Sequence, residues 1–368
     1  MAQFEYSSIF GELTRNTQLR FDAASKLNKQ LFDNAIYEQF LDWDTPSIGL
    51  NFEELIGRYN ITIAAPTIGD NSKETVLGSE GLQTYANRVF KHAITRPMTI
   101  QEYRKVLAIL DSKSISDSAK KQELVKLMWG DVTDVVNGVK AKLDMIFLGA
   151  LSNCGKFTFD DTTNPEGGVH GSIDYNMPST NIASANTKWT EDNAATVDPF
   201  SDIQEVLDAA DDKVQITKIL AAPSKIAYML KSTKLKQVVF GKDKNDSPLT
   251  LAALNTFLTA NEMPTIQKIR RTVRIKNGNT ITSLTPFNAK NLVFIPDGKL
   301  GTIKNAYADS ELKRENGVTY SNYGRIRVSQ WGVGETQNSN GTEFSKAESF
   351  SLPVITEING IYTLKTED

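Results

Sequence analysis

One stretch of this chain limits the folds open to it more than any other. Leu124, Met128, Val132, Val135, Val139, Leu143, Ile146 and Ala150 follow one another at steps of four, four, three, four, four, three and four. That spacing returns to the same face of an α-helix at every step and predicts one helix of about 35 residues. Ser116, Asp117 or Ser118 can accept the first free amide hydrogens, and Gly155 can take the left-handed conformation that ends a helix. At a rise of about 1.5 Å per residue such a helix is on the order of 50 Å long, longer than a small domain is wide. It must lie across other elements.

The segments before the helix read as extensions. Residues 1 to about 50 are polar, with Ile9, Phe10, Leu13, Leu27, Leu31 and Phe32 spaced for short amphipathic turns at most. Trp43-Asp44-Thr45-Pro46 breaks any helix, because proline disfavours the α conformation in the residue before it. Tyr59–Ala64 alternates as a strand does, Gly69-Asp70-Asn71-Ser72 and Gly78-Ser79-Glu80-Gly81 are turn sequences, and Gln83–Ile94 is a second extended stretch. Two strands joined by a long polar tip describe a projecting hairpin.

Beyond the helix, residues 155–198 read as loops with short strands. Asp198-Pro199 opens a helix whose apolar face is Ile203, Val206, Leu207 and Ala210. A buried strand over Lys218–Ala222, helices over Pro223–Ser232 and Ser247–Ala260, and strands over Thr265–Ile275, Thr280–Leu284 and Leu292–Ile295 follow, with Asn277-Gly278 as a hairpin turn. The chain ends in strands over Ile326–Trp331 and Phe350–Leu364, separated by a Gly334–Gly341 loop. Helices and strands in separate runs, with an arm and a hairpin outside any core, argue for an α+β architecture.

Composition excludes several functions. Lys and Arg number 41 against 44 Asp and Glu, a net charge of −3, so a dedicated polyanion binder is not expected. The first residues lack the basic and apolar regions of a signal peptide, and no run approaches roughly 18 apolar residues, so a soluble protein outside the membrane is expected. Cys154, the one cysteine, follows an apolar helical pattern and reads as a buried or half-buried structural thiol in a reducing compartment.

Candidate chemistry is sparse. His92 and His170 are the two histidines; neither has ligands or triad partners at a useful spacing, and both read as loop residues. Gly332-Val333-Gly334 lacks the third glycine and following helix of a dinucleotide loop. The basic run Lys268-Ile269-Arg270-Arg271-Thr272-Val273-Arg274 would put charge on both faces of a strand, which suits solvent or a neighbouring subunit better than phosphate. Asp111, Asp131, Asp134 and Asp144 lie near or on the long helix, and a solvated face explains them. No catalytic residue, cofactor-binding residue or metal ligand is expected, and the chain does not read as an enzyme.

Several segments, taken in order, resemble a known family. His92-Ala93-Ile94-Thr95-Arg96-Pro97-Met98-Thr99 is similar to its stretch between extended loop and spine helix. Thr187-Lys188-Trp189-Thr190 with Val197-Asp198-Pro199-Phe200-Ser201-Asp202-Ile203 is similar to its tryptophan and aspartate-proline segment. Phe294-Ile295-Pro296-Asp297-Gly298, Leu300-Gly301 and Ser349-Phe350-Ser351-Leu352-Pro353 resemble its late strands. The family is the major capsid proteins of lambda-like tailed phages, the capsid protein E family, with the Johnson fold.

The resemblance implies an N-terminal arm (1–51), an extended loop (52–110), a peripheral domain with the spine helix (111–215 and 325–368) and an axial domain (216–324). It implies a subunit that forms hexamers and pentamers of an icosahedral head shell, made and assembled in the host cytoplasm. Portal, scaffold and decoration proteins would be its partners, and packaged DNA would be touched only non-specifically. A shell protein of a cellular nanocompartment enclosing protein cargo is the alternative.

Overall fold

The computed structural model describes residues 35–56, 83–98, 102, 104–105, 108, 117–165, 169–210, 214–242, 247–336 and 339–367. The expectations for residues 1–34, the strand over Tyr59–Ala64 and the turns after it lie outside these residues. Short α1 (Tyr37–Phe40) leads directly into β1 (Leu41–Trp43). Next, β2 (Asn51–Ile56) and β3 (Gln83–Arg88) pair antiparallel from Asn51↔Arg88 to Ile56↔Gln83, forming the base of a hairpin whose first strand was not among those expected, and the stretch Gln83–Ile94, expected as one, breaks at Val89. β4 (Phe90–Pro97) then precedes the long helix α2 (Asp117–Ser152), which has 36 residues.

The end of α2 differs in detail from the expectation. The left-handed turn begins at Cys154 (φ 54°) and continues through Gly155 (φ 79°), whose N–H donates to the carbonyl of Ala150 at 2.9 Å. The side chain of Asn153 donates to Gly149 O at 2.8 Å, and that of Asn291 to Ser152 O at 2.7 Å. Carbonyls of the last turn thus find partners without water.

β5 (Lys156–Phe159) and β6 (Gly171–Asp174) form an antiparallel pair and β7 (Ile182–Ser184) follows. α3 (Pro199–Ala210) starts where Asp198 accepts from Ser201 N at 3.2 Å, as the Asp-Pro pair implies. After β8 (Ile216–Ala221) come α4 (Pro223–Lys231) and α5 (Thr233–Phe240). α5 lies outside the helices predicted from the sequence; Ser232 caps it, its hydroxyl accepting from Leu235 N at 3.2 Å. α6 (Leu251–Ala260) is capped by Thr250 in the same way.

The basic run is not one strand. β9 (Thr265–Lys268) stops before Arg271, and β10 (Val273–Asn277) pairs with β11 (Thr280–Leu284) around Gly278 (φ 59°) and Asn279, one residue beyond the expected Asn-Gly turn. β12 (Asn291–Pro296), β13 (Gly301–Ala306), α7 (Asp309–Leu312) and β14 (Thr319–Tyr323) complete the middle of the chain. β15 (Ile326–Thr336) and β16 (Ser339–Ile355) remain paired out to Thr336↔Ser339, so most of the expected Gly334–Gly341 loop is strand. The last expected strand divides into the end of β16 and β17 (Tyr362–Lys365).

Among the described residues two large sheets form. One runs β1-β13-β16-β15-β14, with β4 also paired to β16; the other runs β7-β17-β12-β8-β9. β13 and β14 belong to the first sheet and β17 to the second, so stretches far apart in sequence interleave in space. The first sheet covers α2: Val132, Val135, Val136 and Val139 pack with Ile326, Val328 and Ala347. Further along, Leu143, Met145, Ile146, Phe147, Leu148, Ala150 and Leu151 are all buried, on every side of the helix. The second sheet and α3 enclose a core around Trp189. Its indole donates to Asp202 Oδ2 at 2.8 Å, which gives the tryptophan and aspartate-proline segment a structural reason.

Close approach of β13 and β16 leaves no room at Gly301, where a Cβ would lie 2.0 Å from Val354 O and 2.9 Å from Thr356 N. Gly301→Ala should destabilise by about 3 kcal/mol or more in denaturant titration. Gly49→Ala, with nothing within 4 Å of the added carbon, should stay within about 0.5 kcal/mol.

Candidate functional site

The side chains that organise this molecule are those that fasten its N-terminal segment and its hairpin to the helix and sheet. Asp144, expected on a solvated face, is fully buried. Its Oδ1 accepts from Tyr37 N at 2.9 Å, at the start of α1, and its Oδ2 lies 2.8 Å from Nε of Arg271. Burial pushes the carboxyl up to about 6, opposed by the Tyr37 hydrogen bond and the Arg271 charge. A carboxylate is tolerated there because a helix N-terminus and a guanidinium both face it. One turn earlier, buried Lys140 pairs with Glu38 at 2.8 Å and sits 4.9 Å from the ring centre of Tyr323. Residues 35–40 are thus held by two charged side chains of α2.

Of the other aspartates considered, Asp134 is exposed and pairs with Arg96. Asp111 and the side chain of Asp131 lie outside the described residues. Arg271 belongs inside the molecule because it is the counter-charge to Asp144. No periodicity in the sequence signals that pairing.

The hairpin base has its own fastening. Lys304 on β13 lies 2.6 Å from Asp44 Oδ2 and also pairs with Glu54 on β2. The Lys304 hydrogen bond holds the Asp44 carboxyl below its ordinary range. Aromatic rings continue the attachment: Phe52 and Tyr85 across the β2–β3 ladder are 6.1 Å apart, and Tyr85 is 5.2 Å from Tyr175, whose hydroxyl donates to Pro353 O. The ladder is therefore joined to β1, β13 and β16 by one cation and a short row of rings.

The groups considered for chemistry are scattered. His92 is buried, not on a loop, with Nε2 3.1 Å from Ser351 O; burial, aided by the Lys142 charge, lowers its pKa to about 4 and keeps the ring neutral. His170 is exposed, 3.3 Å from Asp161. Cys154 is half-buried, and burial pushes its thiol up. Gly332-Val333-Gly334 lies within β15. Among the described residues no group of three or more His, Cys, Asp and Glu side chains is placed to hold a metal ion, and no helix is long and apolar enough to cross a membrane.

The Asp144 site makes a signed prediction. Its folded pKa of about 6 exceeds the ordinary carboxyl value of 3.8, so the stability it contributes is present below about pH 4 and lost as pH rises through 6. Denaturation of wild type and Asp144→Asn should show wild type losing roughly 3 kcal/mol relative to the variant between pH 4 and 7. Arg271→Met should cost about 3–5 kcal/mol at pH 7, because it strands a buried carboxylate.

Comparison with known proteins places this architecture. The family model described as phage major capsid protein E matches residues 60–366. No curated protein sequence matches the chain. Among solved structures, the chain is similar to a protein assigned as the capsid protein of an E. coli CFT073 prophage, at 15% identity and a TM-score of 0.58, covering 95% of this chain and 98% of that one. It is similar to a phage-related protein from Bordetella bronchiseptica RB50 at 10% identity and a TM-score of 0.52, covering 94% and 96%. The encapsulin complex of Synechococcus elongatus PCC 7942 aligns at 11% identity over 94% of this chain and 95% of that one, with a TM-score of 0.37. The chain belongs to the phage major capsid protein E family: it has the α+β Johnson fold of tailed-phage capsids and is a shell-forming structural subunit, not an enzyme.

Proposed function

We propose that copies of this chain form hexamers and pentamers that close into an icosahedral head shell around phage DNA, assembled in the cytoplasm of the host. Residues 1–51 act as the arm and 52–110 as the extended loop, both overlapping neighbouring subunits. Residues 111–215 with 325–368 form the peripheral part, stiffened by α2 as its spine, and 216–324 form the axial part around which the oligomers close. Portal, scaffold and decoration proteins are the further partners, and DNA is held without sequence preference.

The observation that most supports this reading is the fastening of the hairpin base. Twenty-six residues separate Ile56 from Gln83, and the ladder that carries them is tied to the body by Lys304, Asp44 and Glu54. A segment meant to bear on a neighbour needs such a root, since a loose hairpin would lose in ordering entropy much of what it gains by contact. At roughly 25 cal/mol per Å² of apolar surface, several modest contacts per subunit keep early assembly reversible and make the closed shell stable.

Lys304→Met should leave the monomer within about 1–2 kcal/mol of wild type but lower particle yield several-fold, measured by sedimentation and electron microscopy. Undiminished yield would count against the role given to the hairpin. Particles recovered from cells should contain DNA and a portal; a protein cargo without DNA would instead favour a nanocompartment shell.

A further inference from the structure

We propose that the outward face of the β10–β11 hairpin docks on the outer face of α3 in a second copy of this chain, so that copies join head to tail. The inference rests on the shell-subunit function proposed above and names one of its contacts. Charge is divided unequally along the chain. Residues 190–212 contain eight Asp and Glu and no Lys, Arg or His, whereas residues 263–289 contain five Lys and Arg and no Asp or Glu. A net charge of −3 conceals both blocks. One member of the basic block is already engaged, Arg271 with Asp144. Lys268, Arg270, Arg274 and Lys276 are exposed, and none of these four is in an ion pair among the described residues. In the β10–β11 ladder Arg274 stands opposite Ser283 and Lys276 opposite Ile281, so these four side chains share one face. The other face carries Val273, which is buried, and Ile275, which packs against the core that encloses α2. The hairpin is therefore fixed to the body by one face and presents two cations beside Ile281, 67% exposed, on the other. Among the described residues β10 and β11 pair with no further strand, and so small a ribbon is marginal until something covers it.

The acidic block supplies the matching face. On α3, Glu205, Asp208 and Ala209 are exposed, while Asp202 is buried against Trp189 and Asp198 pairs with Lys234. Glu205 accepts from Asn186 Nδ2 at 2.8 Å and Asp208 from Gln204 Nε2 at 2.7 Å, and neither is in an ion pair among the described residues. Both carboxylates keep acceptor capacity for a cation. Glu205, Asp208 and Ala209 are neighbours on one helix face, with about 5–6 Å between their Cβ atoms. Arg274 and Lys276, two apart on one strand, stand roughly 6.6 Å apart, so two cations meet two carboxylates while Ile281, beside Lys276, covers Ala209. A phosphate backbone suits the hairpin less well, because it offers Ile281 no apolar surface. The contact joins two unlike surfaces, each present on every copy, and such a heterologous contact closes into a ring when its rotation allows. Individually weak pairs then add up around the ring.

The test uses the full chain, with assembly followed by light scattering and native mass spectrometry. Arg274→Glu with Lys276→Glu makes both faces acidic, and Glu205→Lys with Asp208→Lys makes both basic. All four side chains are exposed, so thermal melts should show each double variant folded. Each should raise the protein concentration needed for assembly about tenfold or more, because like charges then face each other. Carrying all four substitutions in one chain restores opposite charge and should bring assembly back to within about threefold of wild type. Mixing the two double variants in equal amounts should also restore assembly, and since the copies must then alternate, it should give hexamers but no pentamers. If a reversal fails to fold, Arg274→Gln with Lys276→Gln should weaken assembly in the same direction. Undiminished assembly by both double variants, or no recovery in either the fourfold variant or the mixture, would overturn the proposal. Loss of duplex DNA binding by the hairpin variant with its assembly intact would overturn it in favour of nucleic acid. If wild type forms no rings or shells, the shell-subunit reading fails, and the contact is decided separately by whether the two double variants bind each other and not themselves.

Discussion

The long helix has no solvent face over its last ten residues, 143–152, and the remaining architecture follows from covering it. From Val132 to Leu151 nearly every apolar side chain is buried, and even Lys140, Asp144 and Ser152 are enclosed. The cover comes from distant parts of the chain. Phe40 before β1 meets Phe147 at 5.8 Å between ring centres, and the Phe157 ring occupies the space that a Cβ on Gly149 would need. Arg271 comes from between β9 and β10, Asn291 from the start of β12, and Ile326, Val328 and Ala347 from the long hairpin. A chain that wraps one rod from so many directions cannot keep its sequence blocks apart in space, hence the interleaved sheets.

The charged groups within this cover act as fasteners more than as sources of stability. Burying Asp144 costs desolvation, and a pKa raised to about 6 says that Arg271 and the Tyr37 amide do not fully offset it. What the pair secures is position: α1 has one place to dock, and so the chain entering from residues before it has one point of departure. Lys304 does the same for the hairpin. Such fixed points of departure suit the proposed shell subunit, whose several contacts with other copies add up even where each is weak.

The helix, the Asp198-Pro199 start and most strands of the second sheet could be read from the sequence because local periodicity and capping decide them. Asp144 could not, although the run Met145-Ile146-Phe147-Leu148 beside it carried a signal: apolar residues on all sides of a helix mean burial all round, and a charge within such a run must go inside. Arg271 was hidden in a basic run whose partner lies 127 positions earlier, 271 minus 144. Glycines and asparagines around 334–341 suggested a loop, but pairing between β15 and β16 overrides local preference there.

This chain is a body built to associate with copies of itself, and negative-stain electron microscopy of the purified protein, concentrated at near-physiological salt, tests that association. Closed shells, tubes or discrete hexamers are the predicted result. A uniform field of monomers that persists when scaffold and portal proteins are supplied would contradict it.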